Sequence, residues 1–109
     1  RSPFMARPDA VDAVLRLVDA PRAALSGTVY NVGAFAPSAG EVEAIVREAF
    51  PGAAVTTKVD AKRQAIVDSW PADVDDTAAR KDWSHTPQYG LKEAFTEYLI
   101  PTIKGRYAA

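Results

Sequence analysis

The chain contains no cysteine, which excludes disulfides, thiolate metal centres and cysteine nucleophiles. It has one histidine, His85, so no multi-histidine site is possible. Charge of one sign is also missing. Thirteen basic residues face fourteen acidic ones, for a net charge of −1, which leaves no electrostatic footprint for nucleic acid or an anionic membrane. No apolar run approaches the ~18 residues that would span a bilayer. The opening Arg1-Ser2-Pro3 is followed by no apolar stretch of the signal-peptide kind. Glycines stand at 27, 33, 40, 52, 90 and 105, never closer than six residues, so no glycine-rich phosphate-cradling loop can be built. None of Tyr30, Tyr89, Tyr98 and Tyr107 has a lysine four residues on. With only His85 to serve, no Ser/His/Asp triad is expected.

What is present is ordinary for one small globular domain. The 109 residues are 48% apolar and 25% charged, and a chain of this size buries roughly 65% of its unfolded surface. Eight prolines, at 3, 8, 21, 37, 51, 71, 87 and 101, punctuate the elements. Pro8 and Asp9 open a helix in which Val11, Val14, Leu15 and Val18 form an apolar stripe, and Pro21 stops it. Thr28-Val29-Tyr30-Asn31-Val32-Gly33 reads as a strand. Ser38-x-x-Glu41 is a capping box ahead of the apolar face Val42, Ile45, Val46 and Ala49. Val55–Val59 alternates as a second strand, and Asp60–Pro71 reads as loop with a short strand at 65–67. A helix capped by Asp75 or Asp76 runs to Trp83. A last one carries Leu91, Phe95, Tyr98 and Leu99, and Pro101 should kink or end it.

Several side chains admit functional readings. Arg63 offers a planar fork for a carboxylate or phosphate, or pairs with Asp60 or Asp68 on the surface. Trp70 is a core anchor, a subunit contact or a pocket wall. Asn31 is a turn device or an amide aimed at a ligand. Asp73, Asp75 and Asp76 suggest calcium, but an EF-hand loop begun at Asp73 would put Ala78 and Ser84 where glycine and glutamate belong, so helix capping is the expected role. His85 is expected in a turn, solvated or capping.

Taken together, Phe4-Met5, Arg7-Pro8-Asp9-Ala10-Val11-Asp12-Ala13 and Thr28-Val29-Tyr30-Asn31-Val32 resemble the late Rossmann portion of extended short-chain dehydrogenases, the NAD-dependent epimerase/dehydratase family. Asp60-x-x-Arg63-Gln64-Ala65-Ile66-Val67-Asp68-Ser69-Trp70-Pro71, followed by Asp75-Asp76-Thr77-Ala78-Ala79-Arg80-Lys81-Asp82-Trp83, looks like the C-terminal region of its epimerase-like L-threonine 3-dehydrogenases. The resemblance implies an α/β fold: a last Rossmann strand and helix plus a small substrate-binding lobe of few strands and about four helices, spanning 1–109. It places the NAD-binding half, with catalytic Tyr and Lys, upstream of residue 1. The absence of Met at position 1 adds to the expectation of a fragment that alone catalyses nothing.

By the same resemblance, Trp70, Arg63, Asp68 and Ser69 lie at the pocket for a small substrate, threonine or a nucleotide sugar. The few basic residues between 54 and 76 (Lys58, Lys62 and Arg63) tilt toward the smaller one. A cytoplasmic homodimer is implied, with neither nucleic acid nor membrane as partner. A severed lobe should show an apolar patch where the missing sheet packed, covered by dimerisation or strand exchange; a free-standing interaction domain should show polar faces. Ser84 stands where the family usually has glycine after the tryptophan, and His85 where an aromatic is common.

Overall fold

The structure, a computed structural model, describes residues 1–108. Helix α1 (Arg7–Asp19) takes Pro8 in its first turn and gives way to Pro21 and a short 3-10 turn, Arg22–Ala24. Helix α2 (Ala39–Ala49) opens on the expected capping box: the Glu41 amide donates to Ser38 Oγ at 3.2 Å, and the Ser38 amide donates back to Glu41 Oε2 at 2.7 Å. Helix α3 (Ala61–Asp68) is capped by Asp60, which accepts from the amides of Lys62 and Arg63, both at 3.1 Å. Helix α4 (Thr77–Trp83) begins after Asp76, but the capping bonds come from Asp75, which accepts from the amide and hydroxyl of Thr77. A terminal helix over 91–107 opens in α geometry, widens to a π-helix over Ala94–Leu99 and closes as α over Ile100–Tyr107.

The expected strands are not there. Among the described residues the backbone makes one isolated antiparallel bridge, Phe4 to Phe35, and no strand. Thr28–Gly33 has β-forming residues, but β propensity expresses itself only against a partner strand. This segment is instead held by side chains: the Tyr30 hydroxyl donates to Asp82 and the Gly33 carbonyl meets His85. Val55–Val59 is likewise irregular, and 65–67 lies inside α3.

Pro101 does not end its helix. Proline lacks the N–H that the carbonyl of residue 97 would accept, and its ring crowds that carbonyl. The π-helical widening immediately before it accommodates both. Thr96 and Thr102 donate their hydroxyls to the carbonyls of Lys92 and Tyr98, one turn back.

The core is small. Ala13 on α1 and Ala79 on α4 are buried with Trp83, and Leu17, Ala20, Leu25, Tyr30 and Val32 pack against them. The Trp83 indole N–H is buried without an acceptor among the described residues. The apolar stripe of α1 is open to solvent: Val11, Val14, Leu15 and Val18 are 55%, 62%, 57% and 75% exposed. Its periodicity was right for a helix, but Asp9, Ala13 and Leu17 turn inward instead. The molecule measures 53 × 38 × 17 Å with a radius of gyration of 16.9 Å, against about 13 Å for a compact domain of this length. It is a slab 17 Å thick, where a single helix with its side chains measures about 10–12 Å across.

Candidate functional site

Three polar clusters hold the slab's loops in place. Asp9, 3% exposed, accepts the Gln88 amide at 2.9 Å and the Tyr89 amide at 3.0 Å, tying the loop before the terminal helix to the start of α1. Asp82 Oδ2 accepts from Ser26 Oγ (2.5 Å), the Ser26 amide (2.9 Å) and the Tyr30 hydroxyl (2.7 Å). These donors, Ser26 first, hold its carboxyl below the ordinary aspartate range. Tyr30 also meets Trp83 edge to face, with ring centroids 5.8 Å apart.

The third cluster centres on His85, which is buried rather than solvated. Its Nε2 lies 3.0 Å from the Gly33 carbonyl; a carbonyl only accepts, so Nε2 carries the hydrogen in this bond. Asp76 Oδ2 is 3.7 Å from the same nitrogen, while Asp76 Oδ1 accepts from Arg80 Nε at 2.8 Å. The Arg80 bond leads in lowering the Asp76 carboxyl. Between Trp83 and His85, Ser84 adopts φ 57° and ψ 39°, the left-handed conformation that suits glycine.

The side chains singled out from the sequence, Arg63, Asp68, Ser69 and Trp70, all sit on α3 and the turn after it, and all are exposed. Arg63 Nε is 3.7 Å from Asp60 Oδ2. Asp68 accepts from Gln64 Nε2 at 2.6 Å, and Ser69 Oγ donates to the Ile66 carbonyl at 2.6 Å. Trp70 is 59% exposed, so it is not a core anchor. The four are brought together on one arm, α3 having no buried residue at all. Asn31 is exposed and apart from them.

The sequence reading missed a cavity of about 410 Å³ on the other side of the bridge, between the Phe4–Phe35 pair, α2 and the π-helical turn. Its walls include Phe35, Val42, Phe95 and Leu99, and it is bordered by Arg7 and Tyr98. Arg7 Nε donates to the Tyr98 hydroxyl at 3.3 Å. A signal was available: Arg7 is a cation at the positive end of α1, where a helix ordinarily favours an acidic side chain. The residues three and four on are Ala10 and Val11, so no acid one turn along the helix pairs with it.

The chain matches no family model. It is 39% identical over 97 residues to the mitochondrial L-threonine 3-dehydrogenase of Sus scrofa, covering 89% of this chain and 26% of that one. To an uncharacterized epimerase/dehydratase of Staphylococcus haemolyticus it is 35% identical over 97 residues, covering 88% and 30%. Among solved structures, the GalE-like L-threonine dehydrogenase from Cupriavidus necator superposes with a TM-score of 0.83 at 37% identity, over 94% of this chain and 33% of that chain. The likeness read from the sequence, to epimerase/dehydratases and threonine dehydrogenases, is thus present in both sequence and fold. The chain spans about a third or less of the length of the relatives it matches.

Proposed function

We propose that this chain is the substrate-binding lobe of an NAD-dependent oxidoreductase that converts L-threonine to 2-amino-3-oxobutanoate. The observation that carries the reading is the shared fold and 37% identity across 94% of the chain with a threonine dehydrogenase. The residues present do not fit NAD itself: the glycines are too far apart for a pyrophosphate loop, and among the described residues no strand leads into a helix N-terminus. In a protein of the relatives' length, NAD binding falls to the rest of the polypeptide. The exposed face of α1, Val11, Val14, Leu15 and Val18, supports the view that such a body packs here, since solvated apolar patches of this kind mark contact surfaces.

Within that reading the arm carrying α3 supplies the lobe's chemistry. Trp70 forms an apolar wall that keeps water from the substrate. Asp68 and Ser69, at the negative end of α3, suit an ammonium group. Arg63 suits a carboxylate, and its loose contact with Asp60 costs little to release. Closing the arm orients the threonine hydroxyl for oxidation. An association into homodimers belongs to the same proposal.

A second reading, a nucleotide-sugar epimerase or dehydratase lobe with Arg63 on a phosphate, is favoured by the comparable identity to the staphylococcal relative. The test is to assay the gene's complete product with NAD and L-threonine, and separately with UDP-sugars. Threonine oxidation that loses roughly tenfold in kcat/KM on Trp70→Ala, about 1.4 kcal/mol of transition-state binding, supports the first reading. Turnover of a UDP-sugar without threonine activity replaces it with the second.

A further inference from the structure

We propose that the cavity between the Phe4–Phe35 bridge, α2 and the π-helical turn binds a small amphipathic carboxylate, with Arg7 and Tyr98 holding the head group and the aromatic walls its tail. The site is separate from the α3 arm and does not depend on the threonine reading.

Three observations carry this. The cavity, at about 410 Å³, falls within the range of small-molecule sites, which are characteristically apolar with a few convergent polar groups. Phe35, Val42, Phe95 and Leu99 provide the apolar walls, and Arg7 and Tyr98 the polar border. The second is the state of Arg7. Its Nε is engaged by the Tyr98 hydroxyl at 3.3 Å, but among the described residues its guanidinium meets no carboxylate in an ion pair. Its outer nitrogens therefore remain for a planar two-oxygen acceptor. Asp9, the nearest acid in sequence, accepts the Gln88 and Tyr89 amides, one at each oxygen.

The third is the wall itself. Phe95, Tyr98 and Leu99 belong to the π-helical turn, a geometry frequently found at functional sites. One cation and one hydroxyl match a singly charged carboxylate better than a doubly charged phosphate, and a single aliphatic or aryl tail suits the undivided apolar wall.

The experiment is an amide NMR titration of the 109-residue chain with decanoate, alongside decanol as the uncharged control. Decanoate should shift the amides of Val42, Phe95, Tyr98 and Leu99 and bind more tightly than decanol. Arg7→Met, which keeps an unbranched stem and helix propensity, should weaken decanoate by roughly tenfold, as loss of a charged hydrogen bond does, and leave decanol unchanged. Tyr98→Phe should weaken decanoate by a smaller factor in the same direction.

The proposal is overturned if decanoate does not bind, if decanol binds equally well, if Arg7→Met leaves the affinity unaltered, or if the shifts centre on Val11 to Val18. A repeat on the gene's complete product supports it if the same amides respond. It overturns it if they do not, since polypeptide then occupies the cavity.

Discussion

Replacing Asp9 by alanine should destabilise the fold by about 3 kcal/mol. The carboxylate accepts two backbone amides, from Gln88 at 2.9 Å and Tyr89 at 3.0 Å, and is itself 3% exposed. Hydrogen bonds to a charged acceptor contribute roughly 1.5–3 kcal/mol each. Part of that is offset because alanine needs no desolvation, and because the Gln88 and Tyr89 amides, being only partly buried, can recruit water. Two such bonds less these offsets leave about 3 kcal/mol, a large share of the roughly 5–15 kcal/mol total of a small domain. Asparagine separates geometry from charge. Its carbonyl can keep one amide, but its NH2 opposes the other, so Asp9→Asn should lose about half as much. Urea unfolding followed by tryptophan fluorescence gives both values, and hydrogen exchange at Gln88 and Tyr89 localises the effect. If Asp9→Ala shifts stability by less than about 0.5 kcal/mol, within the range of ordinary surface changes, and those two amides exchange no faster, the buried carboxylate is not what holds this loop.

Ser84→Gly should raise stability by up to about 1 kcal/mol in the same unfolding assay, because a left-handed backbone costs an L-residue about 1–2 kcal/mol and glycine's extra unfolded freedom returns part of that. Gly33→Ala should cost about 1–3 kcal/mol: the new Cβ would lie 2.7 Å from Val74 Cγ2, and Val74 is a stiff β-branched neighbour. Adding Val74→Ala should restore part of the loss in a double-mutant cycle; strict additivity would refute the clash. The carboxyls of Glu41, Asp75, Asp76 and Asp82 are all lowered by hydrogen bonds in the folded state. Their stabilisation is complete above the unfolded carboxylate range, near pH 4, and is lost as pH falls through their lowered folded values. Stability measured from pH 6 downward should therefore decline below about pH 4, and less steeply in Asp82→Asn.

Helix starts were legible because they are local chemistry. Ser38 and Glu41 announce α2, Pro8 and Pro21 bracket α1, and the Asp75–Asp76 pair marks α4. What failed depended on partners or on the wrong signal. Thr28–Gly33 has strand composition, but a ladder requires a neighbour that these residues do not provide. Helix α3 escaped notice because apolar periodicity was the criterion, and it buries nothing. Its Ala-Lys-Arg-Gln-Ala composition and Asp60 cap would have revealed it through propensity alone. On α1 the apolar period marked the helix but not its inward side, since the buried positions are filled by Asp9 and Ala13 rather than by valines. Grouping Arg63, Asp68, Ser69 and Trp70 needed only contiguity, whereas pairing Arg7 with Tyr98, ninety-one residues apart, required the fold.

The thinness of the slab has a thermodynamic corollary. Among the described residues no large side chain is fully enclosed, and the buried hydrophobic ones are Ala6, Ala13, Ala79, Trp83 and Ala94. Unfolding therefore uncovers little additional hydrocarbon, so both the heat-capacity increment and the urea m-value should fall below those usual for 109 residues. Such a chain melts over a broad interval, and anything that adds a layer to either broad side sharpens that transition as well as raising its midpoint.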